Sequence, residues 1–216
     1  MSNAYRTKNS TGLINKNKKI NFSFNGHTYH GYEGDTLASA LISNGIHLIG
    51  RSFKYHRPRG FLGVGVEEPN AMVQLHEGNK SEPNIIATEV ELVEGLKAKS
   101  QNCWPSVQFD IGEVNNLLNR FFPAGFYYKT FMWPKSFWMK IYEPFIRKAA
   151  GMGVAPLQPD PDRYEHNYEH CDVLVVGSGP SGLASALAAA KNGARVILAE
   201  DKANFGGSLL TDEVTI

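Results

Sequence analysis

The first stretch of alternating hydrophobic and polar positions predicts a β-hairpin. Ile20, Phe22 and Phe24 alternate with polar residues, and Asn25-Gly26 is typical of a two-residue turn. Residues 27–32 are expected to form the second, returning strand. Because successive side chains of a strand point to opposite faces, the three apolar residues share one face. The first regular structure is therefore expected to be two antiparallel strands.

A helical pattern follows the hairpin. The tripeptide Gly34-Asp35-Thr36 can supply an N-cap for a short helix over 37–44, whose leucine and alanine positions fall on one face. Further apolar runs at 71–75 and 85–93 can supply strands to the same sheet. A hairpin followed by a helix is how a β-grasp domain begins, so we predict this α+β fold, of the ferredoxin-like kind, over 19–100.

A different pattern fills 171–216. An apolar run at 173–176 leads into closely spaced glycines, an alanine-rich helical segment and a second apolar run at 196–199, followed by Glu200. This order predicts the start of an α/β, Rossmann-type dinucleotide-binding domain. Two strands and one helix are too few to close a doubly wound sheet, so we interpret the domain as incomplete and the chain as a fragment or one piece of a split subunit.

The glycine turn contains residue types that suit a dinucleotide. Gly177 allows the tight turn, Gly179 lets a pyrophosphate approach the backbone, and Gly182 lets helix and strand pack closely. Glu200 can accept hydrogen bonds from a ribose diol and would repel a 2′-phosphate, which favours NAD or FAD over NADP. The alternative is a structural turn that binds nothing. The predicted cofactor-binding residues are Gly177, Ser178, Gly179, Pro180, Ser181, Gly182, Glu200, Asp201, Gly206 and Gly207.

Aromatic residues are concentrated in a connector that we predict over 101–155. Residues 104–145 hold 13 of the 24 aromatic side chains and all three tryptophans. Lysines interrupt this run, so it is not expected to span a membrane. Two interpretations stay open: the aromatics pack against the flanking domains, or they form a subunit interface. Helices are expected around 112–121 and 135–150.

Polar segments mark the predicted domain boundaries. Residues 1–18 are rich in asparagine and lysine and are interpreted as a flexible arm, while the proline-rich stretch 156–170 is interpreted as a linker. Within this linker, His166 and His170 could form a metal pair only if the stretch were helical. A linker feature is favoured, and neither a metal site nor a catalytic residue is predicted.

Charge and cysteine content narrow the range of partners. The formal net charge is +1, but residues 1–60 carry +7 and the remainder −6. The basic and aromatic stretch Arg51–Gly60 could contact nucleic acid. A solvated loop, or one that docks on an acidic partner or a cofactor phosphate, is favoured, and no nucleic-acid partner is predicted.

Two cysteines, Cys103 and Cys171, and a polar first segment indicate a reduced, cytoplasmic protein with no membrane helix.

Six motifs together give the chain a family resemblance. They are GDTLASALISNG (34–45), GRSFKYHRPRG (50–60), EEPNAMVQL (67–75), NCWPS (102–106), PAGFYYKTFMWP (123–134) and CDVLVVGSGPSGL (171–183). On these motifs the chain resembles, from about residue 20 to 216, the amino-terminal part of the alpha subunits of heterotetrameric sarcosine oxidases.

The resemblance implies an oxidoreductase complex. It implies oxidation of sarcosine to glycine with formation of hydrogen peroxide, and transfer of the one-carbon unit to tetrahydrofolate. It also implies NAD on the dinucleotide domain, with FAD as the alternative, FAD in the beta subunit, FMN at the alpha–beta interface, and beta, gamma and delta subunits as partners. This portion of the complex is expected to bind dinucleotide without being catalytic by itself.

In related dehydrogenases a [2Fe-2S] cluster is held by cysteines after the RPRG turn. The comparable positions here are Leu62, Glu67, Asn70 and a position near Thr88. Because such clusters need about four thiolates, the resemblance implies no iron–sulfur cluster. Two alternatives are a non-catalytic interaction module, and a portion of a related flavin-dependent amine or amino-acid dehydrogenase.

Overall fold

The computed structural model describes residues 5–7, 14–121, 125, 131–150 and 153–210. Among these residues, those up to Pro161 form an amino-terminal unit and those from Asp162 onwards form a carboxyl-terminal unit. The division at Pro161 lies inside the predicted linker. Much of the 123–134 motif and the predicted domain's last residues, 211–216, lie outside the described residues.

The amino-terminal unit is built on a mixed five-stranded sheet. Its strand order is β2-β1-β7-β5-β6, with β1 and β7 parallel and the other pairs antiparallel. A separate short ladder pairs β3 with β4. The strands are β1 Asn15–Phe24, β2 His27–Glu33, β3 Gly50–Arg51, β4 Pro58–Arg59, β5 Met72–Leu75, β6 Glu82–Ile86 and β7 Leu96–Ser100.

The predicted hairpin is β1 and β2. Asn25 and Gly26 have φ angles of 51° and 79°, the left-handed backbone that a tight two-residue turn requires. Ile20, Phe22 and Phe24 are buried, as their alternation predicts. Their side chains join the core beneath the sheet.

The helix α1, Leu37–Ser43, covers this core. Thr36 accepts a hydrogen bond from the Ser39 N–H, and the Ser39 side chain accepts one from the Thr36 N–H, forming a capping box. Leu37 and Leu41 are fully buried. The helix therefore begins where its cap predicts and presents its apolar face to the sheet.

The strand β7 was not predicted, although it lies at the centre of the sheet. Leu96 and Ala98 are buried whereas Lys97 and Lys99 are exposed, so the strand has only two apolar side chains. Only the first two residues of the predicted apolar run 85–93 lie in β6. The remainder of the run forms backbone hydrogen bonds with the start of α1.

The amino-terminal segment differs from the predicted flexible arm. The strand β1 begins at Asn15 because Lys18 and Asn15 bond Glu33 on β2, at 2.5 and 3.1 Å. Further towards the amino terminus, Arg6 forms an ion pair with buried Asp35, at 2.6 Å. The other residues of the arm, 1–4 and 8–13, lie outside the described residues.

The basic stretch after α1 docks on an acidic part of the same unit. Arg51 is buried and donates to the Val107 carbonyl at 2.9 Å and to Glu113 at 3.1 Å. The His56 Nδ1 atom lies 2.5 Å from an Asp110 carboxylate oxygen. The loop was expected to be solvated or to dock on an acidic partner or a cofactor phosphate. Arg51 and His56 contact acidic side chains, and these belong to the same chain.

The connector contains short helices and many exposed apolar side chains. Its helices are α2, Val114–Leu117, and α3, Glu143–Ala150, which follows a π-helical turn at Trp138–Tyr142. These lie within the predicted helical regions, which short 3₁₀ turns interrupt. Large exposed side chains include Trp104, Phe109, Phe121, Trp133 and Phe145. In the part of the chain that the structure describes, no helix is long and apolar enough to cross a bilayer.

The carboxyl-terminal unit has the predicted order of strand, turn, helix and strand. It consists of β8, Val173–Val176, α4, Pro180–Lys191, and β9, Val196–Ala199. The two strands pair in parallel, from Val173 opposite Val196 to Val176 opposite Ala199.

Candidate dinucleotide site

The turn between β8 and α4 depends on two glycines. Gly177 has a φ angle of 95°, which L side chains rarely adopt. A Cβ atom on Gly182 would lie 1.9 Å from the Gly177 carbonyl oxygen. The first glycine therefore permits the turn, and the second permits the helix to lie against it.

Gly179 faces open space. A Cβ atom built on it would meet no heavy atom within 4 Å. Gly179 is the N-cap of α4, so this open space lies directly before the helix. It offers no side-chain cap to the first-turn N–H groups of α4, and Pro180 and exposed Ser181 follow it. Free N–H groups at a helix N-terminus, with open space before them, suit a phosphate.

The Glu200 carboxylate lies beside this turn and accepts four hydrogen bonds. Its Oε2 atom accepts from the Ser178 N–H at 2.7 Å and from the Ser178 hydroxyl at 2.5 Å. Its Oε1 atom accepts from the Asp201 and Lys202 N–H groups at 3.0 and 3.1 Å. These bonds, those from Ser178 above all, lower the pKa of Glu200 to about 2.

The glycine doublet closes on the same turn. The Gly206 N–H donates to the Ser178 carbonyl at 3.1 Å and lies 3.2 Å from the Ser178 hydroxyl oxygen. A Cβ atom on Gly207 would lie 3.0 Å from the Gly179 Cα atom. Ser178, with 0% of its surface exposed, therefore joins the glycine turn, the acid and the doublet.

The structure thus brings the predicted residues of this unit to one end of the β8–β9 pair. Asp201 contacts Glu200 through its backbone N–H. Two further features are absent from the predicted site: Lys202, whose N–H also bonds Glu200, and the pairing of Asp172 with Arg195. The Arg195 N–H donates to Asp172 at 2.8 Å, and its guanidinium donates at 3.0 Å. The signal in the sequence for this pairing is that Asp172 and Arg195, of opposite charge, each directly precede one of the two apolar runs.

The histidine pair in the linker has no helix to align it. His166 and His170 are exposed and lie in a stretch without helix or strand. Among the described residues, no group of three or more histidine, cysteine, aspartate or glutamate side chains is arranged to hold a metal ion.

Two protein families match separate parts of the sequence. Residues 17–103 match a family described as a 2Fe-2S iron-sulfur cluster binding domain, and residues 172–215 match the FAD dependent oxidoreductase family. The first match covers the five-stranded sheet, and the second covers the glycine turn, the acid and the glycine doublet.

Longer proteins match nearly the whole chain. The sarcosine oxidase subunit alpha of Rhizobium meliloti (strain 1021) is 58% identical over 95% of this chain and 21% of its own length. The subunit of that name from Corynebacterium sp. (strain U-96) is 32% identical over 91% of this chain and 16% of its own length. These relatives confirm the resemblance drawn from the motifs, and the chain spans about a fifth of their length or less.

A solved structure gives a weaker match. It is titled as L-proline dehydrogenase from P. horikoshii and aligns with a TM-score of 0.41 and 20% identity, over 94% of this chain and 27% of that one.

The cofactor predictions need correction. The absence of an iron–sulfur cluster is contradicted by the match of residues 17–103 to a cluster-binding family. The prediction rested on thiolate ligands alone, whereas strands, turns and core also define the domain. The match of 172–215 to the FAD dependent oxidoreductase family supports FAD, the stated alternative, and NAD is not confirmed.

The matched segment holds fewer thiols than a [2Fe-2S] cluster takes. Residues 17–103 contain one cysteine, Cys103, whereas a [2Fe-2S] centre takes about four cysteine ligands. Burial, and secondarily the Asp110 charge, raise the pKa of the Cys103 thiol, while Arg51 opposes this effect. The residues of this segment do not fit a four-thiolate centre, and no chemical step is assigned to one.

Proposed function

We propose that this chain, which is homologous over nearly its whole length to the amino-terminal part of sarcosine oxidase alpha subunits, is the dinucleotide-binding and scaffold portion of such a subunit. The bound dinucleotide is FAD, in keeping with the family that matches 172–215. Bound flavin would supply reversible two-electron transfer.

The observation that carries this proposal is the open backbone at Gly179. The open space at Gly179, before the first turn of α4, would hold the pyrophosphate of a bound dinucleotide. The N–H groups of Ser181 and Gly182 at the helix N-terminus would donate to it. Glu200, at the end of β9, would bind the ribose, while Gly206 and Gly207 lie on the other side of the turn.

The activity of the whole enzyme is proposed from the relatives. The complete protein oxidises sarcosine to glycine, forms hydrogen peroxide and passes the one-carbon unit to tetrahydrofolate. Its alpha subunit assembles with beta, gamma and delta subunits. The exposed aromatic side chains of the connector support an interface role, because aromatic anchors are enriched where subunits meet.

The dinucleotide assignment is tested in a full-length alpha subunit that carries this segment. The purified subunit is denatured, and the released nucleotide is identified by mass and quantified. We expect FAD in stoichiometric amount from the wild type and a loss of at least tenfold from Gly179→Asp, because its carboxylate would fill the pyrophosphate space and repel its charge. Release of NAD instead would overturn the FAD assignment, and unchanged FAD in Gly179→Asp would overturn the site.

A second candidate is an interaction module that binds no nucleotide. It is supported by exposed apolar side chains in the parallel pair, since Leu174 and Val176 are 58% and 80% exposed and parallel sheets are normally covered on both faces. Titration of FAD into this chain and into the full-length subunit separates the two proposals. Binding by the longer protein alone assigns this chain the interaction role.

A further inference from the structure

The acceptor positions of Glu200 are all in use. A carboxylate offers about four hydrogen-bonding positions on its two oxygens. Here Ser178 supplies two donors, and the N–H groups of Asp201 and Lys202 supply the other two. A ribose diol that approaches this carboxylate finds no vacant position, so one of the four donors must leave when a nucleotide binds.

The Ser178 hydroxyl is the donor that can leave. The other three donors are backbone N–H groups, and moving any of them would require the backbone of the glycine turn or of the segment after β9 to move. A hydroxyl needs only a rotation about its side-chain bonds. Gly206 keeps a partner during this rotation, because its N–H also donates to the Ser178 carbonyl at 3.1 Å.

We infer that nucleotide binding exchanges one hydroxyl for another at Glu200: the Ser178 hydroxyl releases the carboxylate, and a ribose hydroxyl takes its place. The inference rests on the proposed dinucleotide site and adds a residue that weakens its affinity. Ser178 is thus a built-in competitor of the ribose. It holds the carboxylate in position before binding, at a cost in affinity for every nucleotide that carries the diol.

The exchange is tested with two probes, ADP and 2′,3′-dideoxy-ADP, in the full-length, nucleotide-free subunit. ADP carries the adenosine diphosphate half of FAD, and the dideoxy compound lacks both ribose hydroxyls. We expect the wild type to bind the two probes within about threefold of each other, because a ribose hydroxyl merely replaces the Ser178 hydroxyl. In Ser178→Ala, ADP should bind about tenfold more tightly, whereas dideoxy-ADP should be unchanged.

Two further variants make the result decisive. Ser178→Gly also lacks the hydroxyl and must reproduce the gain for ADP, and Ser185→Ala, an exposed serine on α4, must leave both affinities unchanged. Equal ADP affinities in wild type, Ser178→Ala and Ser178→Gly would overturn the exchange while leaving the nucleotide site intact. If the wild type binds neither ADP nor FAD, the proposed site is wrong and the inference falls with it.

Discussion

At the scale of single residues, two glycines in one turn have opposite requirements. Gly182 has no room for a methyl group because the Gly177 carbonyl would lie 1.9 Å from it. Gly179 has room, because a Cβ atom there meets no heavy atom within 4 Å. The turn therefore needs Gly182 for its own packing and Gly179 for its ligand.

This difference predicts opposite effects of one substitution. Gly182→Ala should lower the free energy of unfolding of the carboxyl-terminal unit by about 2 kcal/mol, because the methyl group overpacks the turn. Gly179→Ala should change it by less than about 1 kcal/mol, yet weaken FAD binding severalfold because the methyl group occupies the phosphate space. Urea unfolding and FAD titration of the full-length subunit measure the two effects. Equal destabilisation by the two variants would contradict the packing role of Gly182.

The sequence predicted which residues meet at this site but not their bonding. Glycine spacing and the acid after β9 are local signals, and they place Gly177 and Gly179 in the turn and Glu200 at the end of β9. Which donors saturate Glu200 depends on the rotamer of Ser178, 22 residues away in the chain. Pattern analysis carries no information on that rotamer, so the competition at the carboxylate emerges only from the structure.

At the scale of elements, a buried carboxylate organises the loop between β4 and β5. Glu68 is 1% exposed. One of its oxygens accepts from the Leu62 and Gly63 N–H groups, both at 2.6 Å, and the other accepts from Asn70 and Ala71, at 2.7 and 3.1 Å. The loop therefore closes around one side chain rather than around an apolar core.

Glu68→Gln should destabilise the amino-terminal unit by about 3 kcal/mol at pH 7, because the amide NH₂ would face backbone donors that the carboxylate now accepts. The exposed neighbour supplies a matched control, Glu67→Gln, which should change stability by less than about 0.5 kcal/mol. Unfolding in urea, followed by fluorescence, measures both. Similar losses in the two variants would contradict the role of Glu68.

The same carboxylate predicts a pH dependence. Burial raises the pKa of Glu68, but the four backbone hydrogen bonds together outweigh it, and the pKa lies below its ordinary value of 4.5. The stability contribution is therefore complete above about pH 4.5 and is lost as the pH falls towards the lowered pKa. The difference in stability between wild type and Glu68→Gln should shrink across this acid range.

Element prediction succeeded where turns and caps are local and failed for β7. The Asn25-Gly26 turn and the N-cap within 34–36 act over a few residues, so the sequence alone places them. β7 is a strand because it fits between β1 and β5, with Phe22 opposite Leu96 and Val73 opposite Ser100. Long-range pairing of this kind leaves little signal in an alternation of only two apolar residues.

At the scale of the whole molecule, the two units are joined by an exposed segment. Residues 154–170 are exposed and contain neither helix nor strand. Exposed backbone outside regular structure is the preferred substrate of proteases. The segment contains one trypsin site, Arg163.

Brief trypsin treatment of the chain should therefore cut first after Arg163 and give fragments 1–163 and 164–216, identified by mass spectrometry. Arg163→Gln should slow the first cleavage at least severalfold. Initial cleavage after Lys191 or Arg195 would show instead that the carboxyl-terminal unit opens more readily than the segment before it.

Because β7 lies at the centre of the sheet, the whole sheet can form only late in the synthesis of this unit. Synthesis delivers the β1–β2 hairpin first and the β5–β6 hairpin some 40 residues later, and neither can join the other until Leu96–Ser100 has been made. Until then, β1 and β5 each present an open edge to the cell. The last strand of the sheet to leave the ribosome is the one that closes both edges, so a nascent chain halted before residue 100 carries two hairpins without a common sheet.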